Sequence, residues 1–323
     1  MLNMLKLDLK DRKLLYWLDQ NSRATNKELS KKVGLTEQAI GYKIKKLHEE
    51  GIIKNFVTFL NTLSLGYTHY KVFVKLNNLK QGQEENIIKK LIENPNISWV
   101  VQTSGRYDLS FSVLAKTPRE FIEIYEKLES KLGKNIVEKN VVINTNSPGF
   151  TRNWLIDEKK SNMLEYKSSK EVMQIDEIDK KVIGAISQDS RKNIVDIAQE
   201  IEETVDIVKY RLKKLKENKV INGFTIQIDL EKLGYEYYSV FLNMHNLNES
   251  IINKVVSYAE NHPNILFVVE VIGNYDLQLE LEVKNYLEFE TILKDFRKKF
   301  SENIQNFEIL RVIREYKDNF YPF

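Results

Sequence analysis

The chain contains no cysteine, and this one absence removes a broad set of chemistries. Disulfides, a thiolate nucleophile and cysteine-held zinc or iron–sulfur centres are all excluded. Histidine is nearly as scarce. His48, His69, His245 and His262 are scattered among 323 residues, with no pair at metal-ligand spacing. Neither a metal nor a cofactor is therefore expected. Long hydrophobic runs are missing too, since the longest apolar stretches, such as 265–269, are strand-sized and too short to span a bilayer. The opening MLNMLKLDLKDRK places charges where a signal peptide needs an apolar run. These features predict a cytoplasmic protein with no membrane partner. No large charge excess exists either: the net charge is +3, so any nucleic-acid affinity must come from local clustering. Paired acid–base groups, a nucleophile arrangement and a phosphate-binding glycine loop are also lacking, which predicts no catalytic residues and a protein that is not an enzyme.

What is present is an ordinary globular composition, 42% hydrophobic and 29% charged, in a chain long enough for two to four domains. One stretch stands out. Residues 36–50, TEQAIGYKIKKLHEE, carry Ala39, Ile40, Ile44 and Leu47 at helical spacing. The other side shows Gln38, Gly41, Tyr42 and Lys45, flanked by Lys43 and Lys46. Thr36 can cap this helix and Gly51 can end it. Upstream, Thr25 and Glu28 form a capping-box pattern for a shorter helix, and Gly34 supplies the turn between the two. This spacing predicts a helix-turn-helix, with a three-helix bundle carrying solvated lysines as the plain alternative.

The chain is also written twice, at a spacing of 168 residues. Ser22-Arg23 returns as Ser190-Arg191, Leu65-Gly66-Tyr67 as Leu233-Gly234-Tyr235, and Pro95-Asn96-Ile97 as Pro263-Asn264-Ile265. The hairpin motif Gly105-Arg106-Tyr107-Asp108 returns as Gly273-Asn274-Tyr275-Asp276. So long a period implies a duplicated multidomain unit rather than a solenoid. Each copy begins helical and ends that part in an extended run suited to the strand or wing behind a recognition helix. The remainder reads β-α-β-β-α-β, the ferredoxin-like order. Its strand at 70–76 alternates Tyr70, Val72, Val74 and Leu76 with Lys71, Phe73 and Lys75. Phe73 and its counterpart Phe241 therefore lie on the face the helices leave open, a candidate pairing surface.

The predicted fold class is α+β: a winged helix-turn-helix plus a ferredoxin-like βαββαβ domain, the pair duplicated in tandem. The expected domains are 1–61 and 62–155, a polar linker at 156–172, then 173–229 and 230–323. Seventeen extended linker residues reach about 55–60 Å, so pairing of the copies within one chain is feasible.

The segment from LDLKDRKLLYWLDQ to GIIKNF closely resembles the N-terminal domain of the Lrp/AsnC, or feast/famine, family, and the unit around GRYDL is similar to that family's sensing domain. The resemblance covers nearly the whole chain, twice, whereas family members are typically single-unit chains. It implies a transcriptional regulator that binds double-stranded DNA, responds to an amino acid or similar small effector, and self-associates through its sensing-domain sheets, as an intrachain pseudo-dimer and in higher oligomers. By motif position Gln38, Gly41, Tyr42 and Lys45 match the outer face of the family's recognition helix, and Arg23, Lys27, Lys31, Thr36, Lys43 and Lys46 are expected to contact DNA beside them. The second copy adds Arg191, Lys209, Tyr210, Lys213 and Lys214. Gly105, Tyr107 and Asp108 match the family's hairpin motif near the effector site, with Arg106 at its variable position, so effector contacts are expected there and at Gly273, Asn274, Tyr275 and Asp276. Glycine, tyrosine and aspartate have a structural reading in such a turn as well.

The copies are not equal in charge. Residues 6–60 hold twelve Lys/Arg against seven Asp/Glu, a net of +5, while 174–228 hold ten of each. Lys27, Lys31 and Lys32 become Val195, Gln199 and Glu200, and Gln38 becomes Asp206. The first copy is expected to dominate DNA affinity. Two other readings stand beside this one. Some proteins of this architecture resemble tetrapyrrole-modifying decarboxylases, and a co-regulator that joins other family members need not touch DNA.

Overall fold

Short polar caps start the helices of the first copy. Asp8 accepts from the Asp11 amide and begins α1 (Leu9–Gln20), Thr25 accepts from the Glu28 amide and begins α2 (Asn26–Val33), and Thr36 accepts from the Ala39 amide and begins α3 (Glu37–Glu49). Gly34 and Gly51 end α2 and α3 in left-handed backbone, at φ +72° and +67°. In this computed structural model residues 7–77, 82–132, 135–156, 163–164 and 172–323 are described. Most of the stretch read as a linker, 156–172, lies outside the described residues.

After α3 the first copy continues through β1 (Ile53–Leu60), β2 (Thr68–Leu76), α4 (Gln83–Ile92), β3 (Ile97–Ser104), β4 (Leu109–Ala115), α5 (Pro118–Leu132) and β5 (Ile136–Asn146). Two short strands follow, β6 (Gly149–Phe150) and β7 (Met163–Leu164). The second copy repeats the order: α6 (Glu177–Ser187), α7 (Ile194–Glu200), α8 (Val205–Glu217), β8 (Ile221–Ile228), a short α9 (Leu230–Leu233), β9 (Glu236–Met244), α10 (Glu249–Glu260), β10 (Ile265–Ile272), β11 (Leu277–Val283), α11 (Tyr286–Lys299) and β12 (Ile304–Asp318). Glu202 and Lys219 occupy the positions of Gly34 and Gly51, and they keep the left-handed backbone at φ +59° and +56°.

Among the described residues, the strand that follows α3 or α8 makes no wing hairpin within its own copy. Instead β1 pairs antiparallel with β8, centred on Val57 opposite Thr225, which are equivalent positions. A lone strand leaves a row of unpaired amides and carbonyls, and the matching strand of the other copy satisfies them. The cores interleave accordingly. Ile226, Ile228 and Tyr235 complete the core of α1–α3, while Leu60 and Leu65 complete that of α6–α8.

The two ferredoxin-like sheets face each other as their sequences suggest, and they also join at their edges. The order runs β11-β9-β12-β3-β4-β2-β5-β10, and pairing of β10 with β11 closes eight strands into a barrel. The helices pack outside. Phe73 and Phe241 meet inside with ring centroids 5.0 Å apart at 86°. Polar residues fill the other end of the interior, beneath the β1–β8 ribbon.

Candidate functional site

The outer face of α3 is exposed along Gln38, Tyr42, Lys45 and Glu49, and α8 repeats the stripe as Asp206, Tyr210, Lys213 and Glu217. Tyr42 and Tyr210 are 69% and 63% exposed, far more than a core-forming aromatic would be. Lys45 and Lys46 pair only loosely with Glu49 and Glu50, at 3.6 and 3.8 Å, which leaves them available to phosphate. Lys27 and Lys31 are exposed on α2. Gly41 permits close approach to α2, because a Cβ there would meet Asn26 Nδ2 at 3.1 Å. Lys209, in its place on α8, is exposed and 3.7 Å from Asp206. The second copy thus presents a weaker basic surface, with Lys214 also 3.7 Å from Asp179.

Three expected DNA contacts sit elsewhere. Lys43 binds Asp11 at 2.6 Å and Asp8 at 3.1 Å, tying α3 to α1, and Arg211 makes the same tie in the second copy. Arg23 donates to the backbone carbonyls of Ser190 and Lys192. Arg191 returns the contact to the carbonyls of Ser22 and Ala24, at 2.5 and 2.8 Å. Burial lowers the pKa of both guanidinium groups. These arginines join the copies, because buried carbonyls at the junction need donors and a guanidinium offers several.

The hairpin motif is likewise occupied by structure. Asp108 accepts from the Leu76 amide at 2.7 Å and from Lys75 at 2.8 Å, and Asp276 accepts from the Met244 amide at 2.7 Å. Gly105 lies at φ +133°, where a Cβ would meet the Ile309 carbonyl oxygen at 2.9 Å. Gly273 lies likewise against the Val141 carbonyl, at 3.0 Å. Each hairpin therefore rests on the last strand of the other copy. Tyr107 and Tyr275 are buried beside this junction, and burial together with Glu308, 2.7 Å away, drives the Tyr275 hydroxyl well above its ordinary pKa. Arg106 is half exposed and bridges Glu138 and Glu308, whereas the backbone of Asn274 accepts from Asn243. Arg106 and Asn274 are the members of the motif that differ between copies, and both are exposed.

The interior of the barrel holds a cavity of about 480 Å3 that the sequence did not single out. Lys71 of the first copy, buried, binds Gln278 at 2.9 Å and Glu280 at 3.0 Å in the second. Its ammonium lies 4.9 Å over the Trp99 ring. Tyr237 also donates to Glu280, and burial followed by that carboxylate raises its pKa strongly. Arg152 joins Asp19 and Glu282; burial opposes its charge, but those two carboxylates outweigh the penalty. His69 is buried against Thr62, and desolvation followed by Lys71 lowers its pKa to about 3. Among the described residues no cluster of three or more side chains suits a metal ion, and no helix is long and apolar enough to cross a membrane.

Comparison with known proteins fits this architecture. Residues 7–54 match a winged helix-turn-helix DNA-binding family, and residues 239–322 match the Lrp/AsnC ligand-binding domain. The HTH-type transcriptional regulator FL11 of Pyrococcus furiosus is 32% identical over 130 residues, which cover 39% of this chain and 85% of that protein. The glutamate uptake regulatory protein of Zymomonas mobilis is 32% identical over 131 residues, covering 39% and 78%. The crystal structure of the siroheme decarboxylase NirDL is similar over 97% of this chain and 94% of its own, with a TM-score of 0.61 at 15% identity, a likeness of fold alone. Carrying the winged helix, the ligand-binding domain and close kinship to regulators of that type, the chain belongs to the Lrp/AsnC family of transcriptional regulators.

Proposed function

We infer that the protein is a DNA-binding transcriptional regulator whose two copies form an asymmetric reader, the first copy contributing most of the affinity. The observation that carries this reading is the exposed stripe of Gln38, Tyr42 and Lys45 on α3, set against Asp206, Tyr210 and Lys213 on α8. A two-fold symmetric reader favours a palindrome, whereas two unlike helices favour unlike half-sites, spaced by about 10–10.5 base pairs or a multiple. A gel-shift series on DNA upstream of its own gene, run at two salt concentrations, tests the reading. Binding that weakens with salt and prefers one sequence supports it. Absence of binding at low salt overturns it.

A small effector, such as an amino acid, acting at the copy junction near Arg106 and Asn274 belongs to the same proposal. Its support is the match to the ligand-binding domain. Calorimetric titration across the amino acids tests it, and a null result for all of them counts against sensing.

The decarboxylase reading has the whole-chain likeness of fold to NirDL in its favour. A substrate awaiting decarboxylation brings carboxylates, and the interior here already holds Glu280, Glu282, Glu315 and Asp318. The buried cations there, Lys71 and Arg152, already pair with Glu280, Asp19 and Glu282, so the regulator reading fits better. A tetrapyrrole-coloured preparation would reverse that preference.

A further inference from the structure

The cavity between the barrel and the β1–β8 ribbon is distinct from the hairpins, and one stretch of its inner wall carries unpaired acceptors, with the exposed Arg314 also lining the cavity. Most of its charges are already matched. Glu280 is taken by Lys71, Gln278 and Tyr237, and Glu282 by Arg152 and Trp154. Glu315 accepts from Trp99 at 3.0 Å and Gln227 at 2.5 Å. Three acceptors close together on the wall remain unmatched. The Ser112 hydroxyl and the Asn144 carbonyl oxygen, on residues 2% and 7% exposed, have no hydrogen-bond partner. The half-buried Asp318 carboxyl also lines the space, with no hydrogen bond or ion pair to it among the described residues. Burial, followed by Glu315, pushes that carboxyl well above the usual carboxylate range.

The strand register explains the placement. Asp318 stands opposite Trp99, Trp99 opposite Ser112, and Ser112 opposite Lys71, in one row around the inner wall. Every one of the three free groups can accept a hydrogen bond, and Asp318 gains a full negative charge when a cation faces it. A half-buried carboxylate with no hydrogen bond or ion pair is costly unless such a cation meets it. Trp99, Phe150, Phe267 and Phe320 supply aromatic wall, and the volume far exceeds that of a bare ion, so the cation needs an organic body.

We propose that this interior cavity binds a small organic ammonium ion, an alkyl or aryl amine, with its charged nitrogen at Asp318 and further donors facing Ser112 and Asn144. The site requires both copies, since Asp318 comes from one and Ser112 and Asn144 from the other. It does not depend on DNA binding, because the protein alone is titrated.

Isothermal titration of the full chain with 2-phenylethylamine, 1,5-diaminopentane and phenylacetate tests the proposal. Saturable binding of at least one amine, with none of phenylacetate, is expected. Asp318→Asn should weaken that amine by about tenfold or more, as loss of a charge-assisted hydrogen bond implies. Ser112→Ala should weaken it by a smaller factor. Asp318→Asn removes an unmatched carboxyl, so folding is not at risk. Failure of both amines at millimolar concentration, equal binding of phenylacetate, or unchanged affinity in Asp318→Asn each overturns the proposal.

Discussion

Ser22 and Ser190 occupy the same position in the two copies, and they touch: their hydroxyl oxygens lie 2.5 Å apart in a fully buried contact. A self-contact between equivalent residues marks the pseudo-two-fold axis, which passes on through Val57 opposite Thr225 and Phe73 against Phe241. Around it, Arg23 and Arg191 exchange guanidinium-to-carbonyl hydrogen bonds.

That exchange separates a structural arginine from a phosphate contact. Arg191→Ala leaves the Ser22 and Ala24 carbonyls without this donor, and a loss of about 1–3 kcal/mol is expected in urea unfolding. The dependence of DNA affinity on salt should stay as in the parent protein. A slope reduced by about one would instead make Arg191 a phosphate contact.

Lys45 and Lys46 should behave in the opposite way. Replacing both by glutamine should leave stability nearly unchanged and flatten the salt dependence by roughly 0.9 for each phosphate that is no longer neutralised. The same change at Lys213 and Lys214 should have the smaller effect, because Asp206 stands where the first copy has Gln38 and residues 174–228 carry ten Lys/Arg against ten Asp/Glu. Equal losses in a quantitative binding assay would contradict the asymmetry.

His69 gives the barrel an acid-sensitive position. Its folded pKa is about 3, below the ordinary 6.5, because burial and then Lys71 oppose the imidazolium. A depressed folded value means that its contribution to stability is complete above pH 6.5 and declines as pH falls toward 3. The slope approaches ~1.4 kcal/mol per pH unit across that window. His69→Gln should flatten this part of the curve when unfolding is measured from about pH 7 down to about pH 4.

Glu202 and Lys219 keep left-handed backbone where the first copy has glycine. A side chain there carries a cost of about 1 kcal/mol that glycine avoids. Glu202→Gly and Lys219→Gly should each raise the denaturant midpoint of the second winged helix. Gly34→Glu and Gly51→Lys should lower that of the first.

Much of the architecture was legible because its signals are local. Capping pairs such as Thr25 with Glu28, the 168-residue period, and the alternation that sets Phe73 on the face opposite Val72 all act within a few residues of chain or by direct repetition. What escaped depends on the other copy. Gln278, Glu280 and Glu282 alternate with Leu277, Leu279 and Leu281, which reads as a solvated sheet face. Only closure of the barrel turns that face inward, onto Lys71. Arg23, Arg191 and Lys43 escaped for a related reason, since a charge beside a helix-turn-helix looks alike whether its partner is a phosphate, a carbonyl or a carboxylate.

Lys71 meeting Glu280 also sets the terms on which the halves associate. At the equivalent positions stand Ser239 and Ser112, so two first copies would oppose lysine to serine, and two second copies would bury a glutamate without its ammonium. Only the mixed pair satisfies both groups. Since both members belong to one polypeptide, their meeting is governed by effective rather than bulk concentration. Dilution that would disperse a two-chain dimer leaves this pair together, and the two halves remain free to accumulate different mutations without losing each other.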